Sequence, residues 1–184
     1  ADYQKNSNCS NVTIDNIRRN ISSFFSWLEE EDYILKSPMR RIHKIKTKTV
    51  VKNTISDESI EKLRDHCTEI RDLAIIDLLY STGIRVGELV NLNIDDIDLE
   101  GRECIVYGKG DKERRVYFDA KAKVHLKEYI EGRKDENKAL FVTLDAPYDR
   151  LKISGVEIRL RQLGRKLDLE KIHPHKFRRT MATR

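Results

Sequence analysis

Ser81-Thr-Gly-Ile-Arg-Val-Gly-Glu-Leu89 follows an apolar run, Leu73-Ala-Ile-Ile-Asp-Leu-Leu-Tyr80, and the junction between them decides how the chain is built. The run reads as a buried helix. Gly83 is where that helix should stop, because glycine accepts the left-handed backbone of a C-terminal cap. Arg85 then falls in the first turn of a second helix, with Val86, Leu89 and Val90 at the spacing of a core-facing side. An arginine set among buried side chains is costly unless an anion meets it. Glu88, one turn along the same helix, is an internal candidate, and a phosphate is an external one.

Working outward, the 184 residues suffice for one domain, or one domain plus part of another, and 36% charged against 39% apolar residues describe a globular chain. No apolar run approaches the ~20 residues of a membrane span, and the first residues are not expected to act as a signal peptide. A formal charge of +5 leans only weakly toward a polyanionic partner, but its distribution says more. Arg40, Arg41, Lys44, Lys46, Lys48 and Lys52 crowd residues 39–52 without an acid, and Lys171, Lys176, Arg178, Arg179 and Arg184 do the same at 171–184. Such clusters are the footprint of phosphate-backbone binding; the bland alternative is two solvated basic faces. Cys9, Cys67 and Cys104 form neither a disulfide framework nor a zinc spacing, which fits a reducing cytoplasm.

Residues 12–33 read as an amphipathic helix, with Ile14, Ile17, Ile21, Phe24 and Leu28 on one side, Phe25 and Trp27 widening it, and Thr13 as N-cap. Its apolar side is expected to find partners upstream of Ala1. Ser37-Pro38 closes this unit and the basic run follows as a linker. Ser56, followed by Asp57 and Glu58, opens a second unit as an N-cap with acids in the first turn, and Ile60, Leu63 and Cys67 mark the buried face. Residues 103–107 and 114–118 are β-rich and joined by Gly108-Lys-Gly-Asp-Lys-Glu113, which signals a hairpin. Ala120–Ile130 reads as a helix, 139–143 as a third strand, and Ser154-Gly-Val-Glu157 as the capping box of a helix that buries Val156, Leu160, Leu163 and Leu167. Pro174 starts a last helix, which is expected to continue past Arg184. The fold expected is mainly α with a small antiparallel β-hairpin or three-stranded sheet (α+β).

Taken singly, the motifs are weak. Gly108-Lys-Gly110 lacks the spacing of a P-loop, and Asp96-Ile-Asp-Leu-Glu-Gly101 lacks the bidentate Glu of a calcium loop, since Tyr107 occupies its twelfth position. His175 and Arg178 share a helix face, where paired cations call for an anion between them. No carboxylate set suggests a two-metal nuclease. Taken together they are specific. Thr82-Gly-x-Arg-x-x-Glu-Leu89, Gly108-Lys-Gly-Asp-Lys-Glu-Arg114 and Pro174-His-x-Phe-Arg-Arg-Thr-x-Ala-Thr183 resemble, in order and spacing, the tyrosine recombinase (phage integrase) family over essentially the whole chain.

That resemblance implies a DNA breaking-rejoining catalytic core over residues 56–184, a basic linker over 46–55, and over 1–45 the end of a helical, SAM-like core-binding domain. It implies that a tyrosine attacks a DNA phosphodiester and leaves a 3′-phosphotyrosine and a free 5′-hydroxyl, with no ATP, metal or other cofactor. Arg85 matches the first catalytic arginine, Lys109 the hairpin lysine that protonates the leaving oxygen, and His175 and Arg178 the His-x-x-Arg pair; Arg179 stands where histidine is more usual. Glu88 is expected to buttress the site. Arg40, Arg41, Lys44, Lys46, Lys48, Lys112 and Arg179 are expected to contact DNA. The second histidine or tryptophan and the nucleophilic tyrosine are expected beyond Arg184, so none of the seven tyrosines serves and this stretch alone should bind without cleaving. The implied partner is double-stranded DNA, with a homotetrameric synapse for the parent protein, a monomer for this stretch without DNA, and no membrane. The implied setting is the cytoplasm, on the nucleoid of a bacterium, phage or mobile element. A non-catalytic DNA-binding regulator and a type IB topoisomerase-like enzyme remain alternatives.

Overall fold

The structure, a computed structural model, describes residues 9–46, 53–108, 110, 112–169 and 171–183. The chain separates into two units, residues 1–52 and 53–184.

Among its described residues, the first unit is one long helix with a return segment. Helix α1 spans Asn11–Glu30, and its N-cap is Ser10, whose Oγ accepts the Thr13 N–H at 3.2 Å. Thr13, expected as the cap, therefore lies inside the first turn. The chain then folds back through a 3-10 turn at Pro38–Arg41 capped by Ser37. Two acids of α1 hold this return: Glu29 accepts the Ser37 N–H at 3.1 Å, and buried Asp15 accepts Arg18 at 2.8 Å and the Ile45 N–H at 3.3 Å. Of the apolar side, Ile14 is buried, whereas Ile21, Phe24 and Trp27 remain exposed.

The second unit is built around α3 (Ile70–Thr82), preceded by α2 (Asp57–Asp65). Ser56 caps α2 as expected, its Oγ accepting the Ser59 N–H at 3.2 Å. Helix α3 is buried almost all round, with Ala74, Ile75, Ile76, Leu78 and Leu79 in the core, as a helix without a polar face must be. Each such leucine or isoleucine contributes about 1.5–3 kcal/mol by leaving water. Two acids on α3 are equally buried, and each recruits cations from neighbouring helices, which an unpaired internal carboxylate requires. Asp77 accepts Arg64 of α2 at 2.7 Å and also bonds His125. Asp72 pairs with Arg71 at 2.7 Å and with Arg159.

Beyond α3 come the short helix α4 (Val86–Asn91) and a three-stranded antiparallel sheet, β1 (Ile97–Asp98), β2 (Glu103–Tyr107) and β3 (Glu113–Tyr117), in that order. The third strand is thus the Asp98-containing lead into the hairpin. Residues 139–143, expected to supply it, form a bent segment, buried through Val142, that changes partner midway, through isolated bridges Asn93↔Ala139 and Val142↔Arg150. Helix α5 (Ala120–Glu131) is capped by Asp119 and packs on α3. Helix α6 runs Ile153–Lys166 with Lys152 at its N-cap and no side-chain cap, so the Ser154–Glu157 capping box does not form. The Leu151 N–H bonds the Phe141 carbonyl at 2.9 Å, and that anchor lets the helix start ahead of Ser154. Helix α7 (Pro174–Ala182) also lies against α3, burying Phe177, and its Thr180 Oγ1 accepts the Ile55 N–H at 2.9 Å. Burial pushes the Cys67 thiol up to about 11 and that of Cys104 to about 12, so both are packing groups.

Candidate functional site

The site begins where α3 ends. Gly83 adopts φ +61° and its N–H bonds the Leu79 carbonyl at 3.0 Å, the left-handed stop the sequence asks for. A β-carbon there would lie 3.2 Å from Met181 Cβ and 3.7 Å from the Arg178 Cα, so α7 crosses directly over this turn. Arg178 donates from Nη1 to the Gly83 carbonyl at 2.7 Å. Residues about a hundred positions apart are thereby joined, and Arg85 is two residues from the bonded carbonyl.

Arg85 differs from expectation in two respects. It is the N-cap of α4 rather than a first-turn residue, and its side chain is 53% exposed rather than set among buried groups. The buried partner is Glu88, only 4% exposed. Its Oε2 accepts the Arg85 N–H at 2.8 Å and its Oε1 accepts Arg85 Nη1 at 2.9 Å. The side chain is half exposed and has donors beyond the Nη1 bond, which an incoming oxyanion can meet. Both anions considered from the sequence are thus compatible at once, because an arginine carries five donors. Glu88 also accepts a bidentate pair from Arg114, at 2.8 and 2.7 Å. Burial pushes the Glu88 carboxyl up, but Arg114, the Arg85 N–H and the Arg85 guanidinium outweigh it and hold the group down at about 2. Sequence reasoning missed Arg114. In the fold it pairs with Val106, a buried residue, so it stands on the inward side of the hairpin and needs an anion, which the strand register rather than the sequence reveals.

His175 is exposed on the first turn of α7, with its ring 6.3 Å from that of His173 at the N-cap. Burial, and then the charges of His175, Arg179, Lys171 and Lys176, push His173 toward its neutral form. The neighbourhood of α7 is therefore strongly cationic, suited to an anion. Lys109 lies outside the described residues, but the flanking Gly108 is fixed, its N–H bonding the Lys112 carbonyl at 2.8 Å. Among residues expected on DNA, Arg41, Lys44, Lys46 and Lys112 are exposed, and Lys48 lies outside the described residues. Arg40 is exposed but paired with Glu29, and Arg179 donates to the Asn53 carbonyl at 3.0 Å, so both also serve the fold. Among the described residues no cluster of His, Cys, Asp or Glu is arranged to hold a metal ion, and no helix is long and apolar enough to cross a membrane.

Comparison with known proteins bears on these features. Residues 38–184 match the Phage integrase family. The tyrosine recombinase XerC of Oceanobacillus iheyensis is 36% identical over 175 residues, covering 89% of this chain and 57% of that protein. The chain thus spans a little over half the length of such a relative. A crystal structure of XerA recombinase superimposes with a TM-score of 0.66 at 28% identity, covering 89% of this chain and 58% of that one. The Tn1549 transposon integrase, solved in complex with transposon right end DNA, shares the fold at a TM-score of 0.81 and 21% identity, over 97% of this chain and 68% of that one. These relatives are recombinases and an integrase rather than regulators or topoisomerases.

Proposed function

The chain belongs to the phage integrase family, and from that premise we propose that it forms the phosphate-gripping part of a site-specific DNA recombinase that cuts and rejoins strands through a 3′-phosphotyrosine. The observation that carries this reading is the junction of α3, α4 and α7. Arg178 is bonded to the Gly83 carbonyl, and Arg85, two residues on, stays half exposed while Glu88 holds its backbone. Two guanidiniums on separate elements, braced from behind, are what a scissile phosphate needs as charge shifts among its nonbridging oxygens. By analogy with an oxyanion donor, each is worth ~2.7–4 kcal/mol in the transition state.

In this proposal His175 hydrogen-bonds the phosphate or takes the tyrosine proton, and Lys109, carried by the hairpin beyond Gly108, protonates the leaving 5′-oxygen. The nucleophile is not one of the seven tyrosines. Tyr80 donates to Asp57 and Tyr129 accepts the Val142 N–H, which supports structural roles for both. Residues 1–45 act as part of a core-binding domain, 46–55 as a basic linker along the DNA backbone, and 56–184 as catalytic domain. The parent acts as a homotetramer on duplex DNA, on the nucleoid, and this stretch is a monomer without it.

The 184-residue chain should bind a 30-bp duplex with an affinity that falls steeply as salt rises, and should form no covalent adduct on a nicked suicide substrate. In the full-length protein, Arg85→Ala should lower adduct formation at least about 100-fold while sparing most duplex affinity. Adduct formation at the normal rate by that variant would remove Arg85 from the chemistry.

A further inference from the structure

Arg114 has no role in the mechanism above, yet it shares a carboxylate with the residue at its centre. It is paired with Val106, 1% exposed, so its side chain leaves the hairpin on the inward face. There its Nη1 and Nη2 reach Glu88 Oε1 and Oε2 at 2.8 and 2.7 Å. The same two oxygens already hold Arg85, Oε2 through its N–H and Oε1 through its Nη1. Gly108 closes over this arrangement. A β-carbon at Gly108 would lie 3.3 Å from Arg114 Nη1 and 3.8 Å from Glu88 Oε1, so the end of β2 that leads to Lys109 rests against the ion pair.

Two guanidiniums and one carboxylate leave a net positive charge beside an incoming phosphate. Without Arg114, the Glu88 carboxylate would belong to Arg85 alone, and that pair would be neutral.

We propose that Arg114 is a positioning residue: by sharing Glu88 it keeps Arg85 net cationic and ties the Lys109-bearing hairpin to the start of α4. The proposal rests on the reading of Arg85 as a phosphate ligand. It is tested on the 184-residue chain with inorganic phosphate as probe, by following the Arg85 Nε–H resonance on titration and the hydrogen exchange of the Arg85 backbone N–H. Arg114→Gln should weaken the phosphate response at Arg85 about five-fold or more and speed Arg85 N–H exchange about ten-fold. Adding Glu88→Gln to that variant should restore phosphate affinity to within about two-fold, because the surplus carboxylate charge is gone. Arg114→Lys, which keeps the charge but loses the fork, should hold near-normal phosphate affinity with faster Arg85 exchange, and it serves where the glutamine variant does not fold.

An Arg114→Gln chain that matches the wild type in both readouts overturns the proposal, as does a double variant no better than the single one. Either result, with normal phosphate binding by the wild type, leaves the phosphate site standing. Absence of any phosphate response at Arg85 in the wild type instead overturns the phosphate reading, and the positioning role with it.

Discussion

A β-carbon added at Gly83 meets Met181 at 3.2 Å on a backbone held at φ +61°, so one position answers both to the end of α3 and to the approach of α7. Gly83→Ala should therefore destabilise the chain by about 1–2 kcal/mol from the left-handed backbone alone. It should also push α7 outward, weakening the Arg178 bond to the residue 83 carbonyl. The urea midpoint reads the first effect, and the Arg178 Nη–H exchange rate reads the second. Gly83 was legible in the sequence because a glycine after an apolar helical run has a single economical use. Arg85 was legible as a site residue but not in its surroundings. A neighbouring apolar triplet placed it in the interior, whereas the helix begins one residue later and turns the side chain outward.

Among the elements, α4 is the one whose electrostatics can be titrated. Glu88 is held at about 2 against an ordinary value of 4.5, so its bonds to Arg85 and Arg114 stabilise the fold fully above pH 4.5 and are lost as pH falls toward 2. The shift corresponds to about 3 kcal/mol. Glu88→Gln should be less stable than the wild type at pH 7 by up to about that amount, with the gap closing between pH 4.5 and 2. Urea midpoints measured across that window check it, and parallel curves for the two proteins would contradict it. Helices and some of their starts were readable, as Ser56 and Pro174 show, because capping is decided by a few adjacent residues. Three features were not. Ser10 takes the cap expected at Thr13; α6 starts ahead of Ser154 because Leu151 is anchored to Phe141; and residues 139–143 pair with a different neighbour at each end. The last two outcomes depend on residues brought close only by the finished fold.

Across the whole molecule, the family resemblance came from three short motifs that the chain holds far apart, and the fold joins two of them directly through Arg178 and Gly83. The third, the hairpin motif, is joined through Arg114 and Glu88. That second link was not legible, since no spacing rule connects a strand residue with a helix residue 26 positions earlier. The chain also offers a rival cationic hollow of about 430 Å³, lined by Arg161, Arg165 and Lys171. The central claim is that Arg85 and Arg178 grip one phosphate together, and tungstate, an oxyanion of phosphate shape, discriminates between the two places. A crystal structure of the 184-residue chain grown with tungstate should show one ion hydrogen-bonded to both the Arg85 and the Arg178 guanidinium. An ion confined to the Arg161–Lys171 hollow, or bound to only one of the two arginines, would contradict the account.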